Sequence, residues 1–206
     1  MPKLFIFTKS SCGLFMENFT AIREFYEKNL NRGLTCTEKE LIQKSFRKEV
    51  FKKKQLVFGS GEVNTRHYFI GKGLLRMYVI DSQGKEFNIL FARENQWIGD
   101  LATPAETSYY LGAVEKSVVY SISDENMNKL TNNFASFVSY LKRSYIFQQK
   151  RLISILAKTA EENYEELVNE YPELINRLPQ YHISSYLGVT PVFLSKILSK
   201  RARKKD

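Results

Sequence analysis

The stretch "HYFIGKGLLRMYVI", His67 to Ile80, sets the fold class. Aromatic and β-branched residues crowd both sides of Gly71-Lys72-Gly73, the composition of two short strands parted by a turn. The same texture continues outward. "EVFKKKQLVF" (49–58) precedes it, and "KEFNILFA" (85–92), "SYYLGAV" (108–114) and "SVVYSI" (117–122) follow. Gly59-Ser60-Gly61 and Asp81-Ser82-Gln83-Gly84 supply further turns. Short strands at this close spacing predict an antiparallel jelly roll or barrel over about residues 46–122.

Helical periodicity flanks the strands. Phe19, Ile22, Phe25, Tyr26 and Leu30 mark one helix, and Thr37 with Glu40 reads as a capping box for a second carrying Leu41 and Ile42. Met16 opens "MENFTAIREFYEKNL" and reads as the initiator, with residues 1–15 as a disordered extension. Beyond Ser123 the helical period returns. Phe134, Val138, Leu141, Tyr145, Gln148, Leu152, Ile155 and Thr159 step by four and three, the spacing of a two-helix seam roughly 39 Å long. A second apolar set, Ile146, Phe147, Ile153 and Leu156, lies off that seam, so this helix needs two partners. One is its own chain, and the other is read as the same helix of a second copy. The alternative is a single helix buried within a monomer.

Thr159 and Glu162 form another capping box, opening a helix that Tyr171-Pro172 ends, and the stretch 161–173 carries six glutamates and no basic residue. Gln180 to Leu187 reads as a short helix. Gly188 then gives the open backbone a tight turn needs, Thr190 caps the next helix, and Pro191 takes its first position, where no N–H is missed. Leu194, Ile197 and Leu198 are its apolar face. This is helix–turn–helix order. Lys196, Lys200, Arg201, Arg203, Lys204 and Lys205 gather around the second helix.

Composition narrows the rest. The 206 residues are 43% hydrophobic and 26% charged, with net charge +9, so a folded core and a polyanionic partner are both permitted. Two cysteines and two histidines, far apart, give no disulfide framework, zinc ribbon or iron–sulfur ligand set, and no metal or other cofactor is expected. Scarce cysteine suits a reducing, cytoplasmic compartment, and no stretch approaches a membrane span. No Ser/His/Asp or Cys/His arrangement is present, so no catalytic site is expected.

The order β-roll, long helix, helix–turn–helix resembles the Crp/Fnr family of transcription regulators. The likeness is carried by "YFIGKGLLRMYVIDSQGKEF", "WIGDL", "LGAVEKSVVYSIS" and "ISSYLGVTPVFLSKIL". It implies an α+β chain: a cyclic-nucleotide-binding-like jelly roll over 16–133, a dimerisation helix over 134–158 and a helix–turn–helix domain over 159–206. It also implies a homodimer seam at Val138, Leu141, Tyr145, Gln148, Leu152 and Ile155, and double-stranded DNA as partner. In the family the roll holds a phosphate cassette, a Gly-Glu pair followed by an arginine. Here Gly99-Asp100, Leu101, Thr107 and Ser108 stand in those places, and "ATPAETSYY" carries no cation. A cyclic phosphate drawn from water needs charge-assisted donors, so a degenerate pocket without cyclic-nucleotide binding is expected. An unknown small-molecule effector and RNA polymerase stay open as partners.

For DNA, the family's base-reading places fall at Pro191 and Val192, and Val192 offers only an apolar contact to thymine. Ser195 and Lys196 are the remaining base readers, and Lys200, Arg201 and Thr190 are placed at phosphate. No full β-wing is expected after this helix. The competing reading is a small-molecule-binding or protein-interaction module whose terminal helices are structural.

Overall fold

The structure, a computed structural model, describes residues 17–101, 105–134 and 136–203. The expectation for residues 1–15 and the Met16 start lies outside them. The chain forms two compact units: one comprises the chain up to Leu75 with Ala92–Ser139, the other Arg76–Phe91 with Tyr140–Asp206.

In the first unit, β1 (Phe46–Phe51), β8 (Ser117–Ser123), β3 (Arg66–Lys72) and β6 (Trp97–Ile98) lie side by side in that order, all antiparallel. The β1–β8 register runs from Phe46 opposite Ile122 to Phe51 opposite Ser117. The run 49–58 is not one strand. Lys54 takes a left-handed φ of 67°, and β2 (Leu56–Phe58) turns away to pair with β7 (Tyr110–Ala113). Gly73 at φ 107° lies against Ser117, where a Cβ would collide with both the serine backbone and its side chain.

Helices α1 (Thr20–Leu30) and α2 (Cys36–Ser45) cover this unit, as their apolar spacing predicts. Phe25, Phe46, Phe69 and Trp97 form one ring cluster, with Phe25–Phe69 at 5.1 Å and Phe69–Trp97 at 5.3 Å between centroids. Such tilted and edge-on pairs add about 0.5–1.5 kcal/mol each beyond area burial. The capping box of α2 is Thr35 with Glu38, not Thr37 with Glu40. The earlier frame wins because Glu38 also takes a two-point ion pair from Arg32, at 2.7 and 2.8 Å.

After α3 (Asp124–Asn133), the long helix α4 spans Ser136–Ala157, 22 residues, shorter at both ends than the predicted seam. Phe134 closes α3 through its N–H to the Leu130 carbonyl and is fully buried against Tyr26, with centroids 4.7 Å apart. Thr159 belongs to the next helix as the N-cap of α5 (Ala160–Glu170), in the capping box with Glu162 that the sequence predicts.

The second unit also holds α6 (Pro172–Arg177), α7 (Gln180–Tyr186) and α8 (Pro191–Arg203), with Tyr164, Leu167, Leu174, Ile183, Leu194 and Ile197 buried. The hairpin of β4 (Leu75–Ile80) and β5 (Glu86–Ala92) contributes nearly all of its residues to this unit. Its turn is closed by Asp81, whose carboxylate accepts from the N–H groups of Gln83 and Lys85 at 2.9 Å.

Candidate nucleic-acid interface

The turn between α7 and α8 is built as its residues dictate. Gly188 is left-handed at φ 71°, and its N–H and that of Val189 close back on the Ser185 and Ser184 carbonyls. Thr190 Oγ1 accepts from the Phe193 N–H at 3.2 Å, starting α8 at Pro191. Leu194 and Ile197 then face inward.

The opposite side of α8 presents Val192, Ser195, Lys196, Ser199 and Lys200 to solvent, with Arg203 a turn further on. Ser195, Lys196, Ser199, Lys200 and Arg203 line a shallow groove. The predicted readers Val192, Ser195 and Lys196 thus lie on one face. Ser199 and Arg203 join them, and sequence reasoning missed both as site residues. Helical repetition was the available signal, since they stand seven residues after Val192 and Lys196. Lys196 and Arg203 have no ion pair among the described residues.

The predicted phosphate contacts are already occupied. Lys200 Nζ pairs with Glu161 at 2.7 Å, and Arg201 Nε pairs with Glu165 at 3.0 Å. Both glutamates come from the acidic helix α5. The Lys200 pair is solvent-exposed and the Arg201 pair partly so, and such pairs hold a cation by only about 0–1 kcal/mol, which a phosphate can outcompete. Thr190 is exposed but spends its oxygen as the cap acceptor.

Helix α7 is fixed to the β4–β5 hairpin by polar bonds that the sequence analysis did not anticipate. Ser185 Oγ donates to the Glu86 carbonyl at 2.7 Å and accepts from the Asn88 N–H at 3.0 Å, standing in for a missing neighbour strand. The Asn88 amide, 3% exposed, donates to the His182 carbonyl at 3.2 Å and accepts from Arg76 at 2.9 Å. Arg76 also pairs with Glu86 at 2.6 Å and lies over Tyr78. Arg151 of α4 stacks on Tyr186 at 3.3 Å and donates to its carbonyl.

Burial, reinforced by the Arg76 charge and opposed by Glu86, holds the His182 imidazole down at about 4. Its folded value lies below its ordinary one near 6.5, so folding favours the neutral ring. The stabilisation it brings is complete above about pH 6.5 and is lost as pH falls towards 4. Thermal unfolding should therefore lose stability between those values, and His182→Gln should flatten that slope. An equal slope in the variant would show that another group titrates.

In the roll, Thr107 and Asp100 are both buried, and Thr107 Oγ1 donates to the Asp100 carboxylate at 2.7 Å. Tyr109 N–H in turn donates to Thr107 Oγ1 at 3.2 Å. Gly99 precedes this pair, while Leu101 and Ser108 are exposed; residues 102–104 lie outside the described set. The carboxylate that would meet a ribose is bonded to the residue standing where the arginine would be. His67 hydrogen-bonds to Asp124, and no group of three metal-ligating side chains occurs among the described residues. No described helix is long and apolar enough to cross a membrane.

Along α4, Val138, Tyr145, Leu152 and Ile155 are exposed, Leu152 at 58%, while Leu141 and Gln148 are half-buried. Of the second apolar set, expected to pack on its own chain, Ile146, Ile153 and Leu156 are exposed as well and only Phe147 is half-buried. Large apolar side chains repeated along one exposed helix mark an interaction surface.

Residues 48–134 match the cyclic nucleotide-binding domain family. The α+β fold, with its antiparallel β sandwich, long helix and C-terminal helical region, matches that of solved Crp/Fnr-family structures. It is similar to FixK2 from Bradyrhizobium japonicum at 17% identity and a TM-score of 0.68, over 78% of this chain and 86% of that one. A CRP/FNR-family transcriptional regulator from Thermus thermophilus is similar at 15% identity and a TM-score of 0.64, over 77% and 87%. The c-di-GMP-responsive regulator CLP of Xanthomonas campestris is similar at 11% identity and 0.66, over 81% and 91%. No curated protein sequence matches the chain.

Proposed function

We propose that this protein is a cytoplasmic, homodimeric transcription regulator that binds double-stranded DNA through α7 and α8 and does not respond to cyclic AMP. The observation that carries the reading is the outer face of α8. It sets Val192, Ser195, Lys196, Ser199 and Arg203 opposite the buried Leu194 and Ile197, behind a capped N-terminus. A helix so exposed, short-sided and basic fits a major groove, and two copies joined along α4 would meet grooves about 34 Å apart. The solved relatives of this fold named as transcriptional regulators support the same reading.

The cyclic-AMP part rests on the Thr107–Asp100 bond and on a cassette without a cation. RNA polymerase is a partner only if the protein activates, and an effector would have to bind elsewhere than in that cassette. The test is competition between an inverted-repeat duplex recovered from a random pool and a scrambled one, at fixed salt. Lys196→Ala should lower discrimination by about 1–3 kcal/mol, roughly five- to a hundred-and-fiftyfold. Unchanged discrimination with weaker binding to both duplexes would move Lys196 to the phosphate backbone.

A further inference from the structure

We propose that the cavity walled by α4, α5 and α7 in the second unit binds a small organic anion, a carboxylate carried on a compact apolar body. The cavity is about 270 Å³. That is close to the lower end of ligand sites, which run from roughly 300 to 1,000 Å³. Ile146, Phe147, Leu167, Tyr171 and Leu187 give it apolar walls, and Arg143, Lys150 and Arg151 bring three cations to its lining.

Arg151 is the informative group. It is half-buried, stacks on the Tyr186 ring and donates to the Tyr186 carbonyl at 2.8 Å. A guanidinium has five N–H donors, and no carboxylate among the described residues pairs with this one. Burial without such a partner pulls its pKa below the ordinary arginine value. Lys150, exposed at the same cavity, likewise has no ion pair among the described residues.

Two carboxylates also line the space, Glu166 and Glu170. Glu166 is already neutralised by Lys158 at 2.8 Å and bonded by Ser154 at 2.7 Å, which hold it below the usual carboxylate range. Glu170 is exposed. Lys150 and Arg151 outweigh Glu170 at the cavity, and a carboxylate meets the fork of Arg151 with charge-assisted bonds.

Position supports a ligand site. On α4 the cavity is lined by residues 143, 146, 147, 150, 151, 154 and 155, of which Ile155 also belongs to the predicted seam. The other five predicted seam residues, 138, 141, 145, 148 and 152, lie outside its lining. Tyr186 and Leu187 belong to the end of α7, next to the turn that starts α8. That an occupant would shift DNA affinity rests on the regulator reading above; that it binds does not.

The test titrates the full chain with benzoate and hexanoate by calorimetry and amide-resolved NMR, with benzamide, hexanamide and inorganic phosphate beside them. Saturable binding is expected at about 1 mM or tighter for at least one acid, with shifts at the cavity residues. The matching amide and phosphate should bind at least about tenfold more weakly. Lys150→Met, an exposed change that leaves folding intact, should weaken the acid about tenfold, and Arg151→Lys should do so through loss of the planar fork. Three results would overturn the site: no saturation by either acid at about ten times that concentration, equal binding of acid and amide, or unaltered binding in both variants. A protein that takes the acid but enriches no DNA sequence would keep the site and sink the regulator reading.

Discussion

Leu152→Glu is expected to convert the protein from dimer to monomer and to cost most of its affinity for a two-half-site duplex. Leu152 is 58% exposed in the single chain, and Tyr145 and Ile155 flank it along the same face at 65% and 51%. Burying a leucine is worth about 1.5–3 kcal/mol, and a symmetric seam buries it twice. Glutamate removes that gain and sets two carboxylates facing each other. The dimerisation constant should fall by roughly two to four orders of magnitude. DNA affinity follows, because the second half-site is then no longer held at high effective concentration. Sedimentation and gel-shift measurements read both effects. A variant that stays dimeric would place the interface on another surface, and one still bound as tightly would show a single half-site to be enough.

Leu194→Ala is the other large change. Leu194 is fully buried beneath α8, where Ile197, Ile183 and Tyr164 also lie inside the unit. Removing a fully buried leucine side chain costs about 2–5 kcal/mol, set by how far the cavity collapses. Helices α7 and α8 hold only a few buried residues, so this is a large share of what seats the reading helix. The second unit should melt earlier, with DNA binding lost at the temperature where α8 unseats. Val192→Ala on the outer face, 69% exposed, should change stability by no more than about 0.5 kcal/mol. Equal effects of the two substitutions would mean that the faces of α8 are assigned the wrong way round.

The parts legible in the sequence are those with local grammar. Strands β3, β4, β5, β7 and β8 follow from aromatic and β-branched runs between turn residues. The α7–α8 turn follows from Gly188, Thr190 and Pro191, whose conformations and cap bond need only their neighbours. Local grammar misled where two frames overlapped, as with Thr35 and Thr37, and where the core captured a seam position, as with Phe134. Strand β6, two residues long, and helix α6, six, are too short to show a period.

The polar joins were the least legible part. Asn88 sits in an apolar strand with no visible reason until Ser185 and His182, more than ninety residues later, lie beside it. Lys200 and Arg201 read as open cations because Glu161 and Glu165 lie far back in the sequence yet adjacent in the fold. That Thr107 turns its hydroxyl onto Asp100 depends on backbone placement that no spacing encodes.

The most direct measurement is selection from random duplex DNA by the purified full chain, at near-physiological salt and with no added ligand. The account predicts enrichment of an inverted repeat whose half-sites lie one helical turn apart, unchanged when cyclic AMP is added. Recovery of no common sequence, with binding that fades steeply as salt rises, would contradict it and leave α8 a basic surface rather than a reading helix.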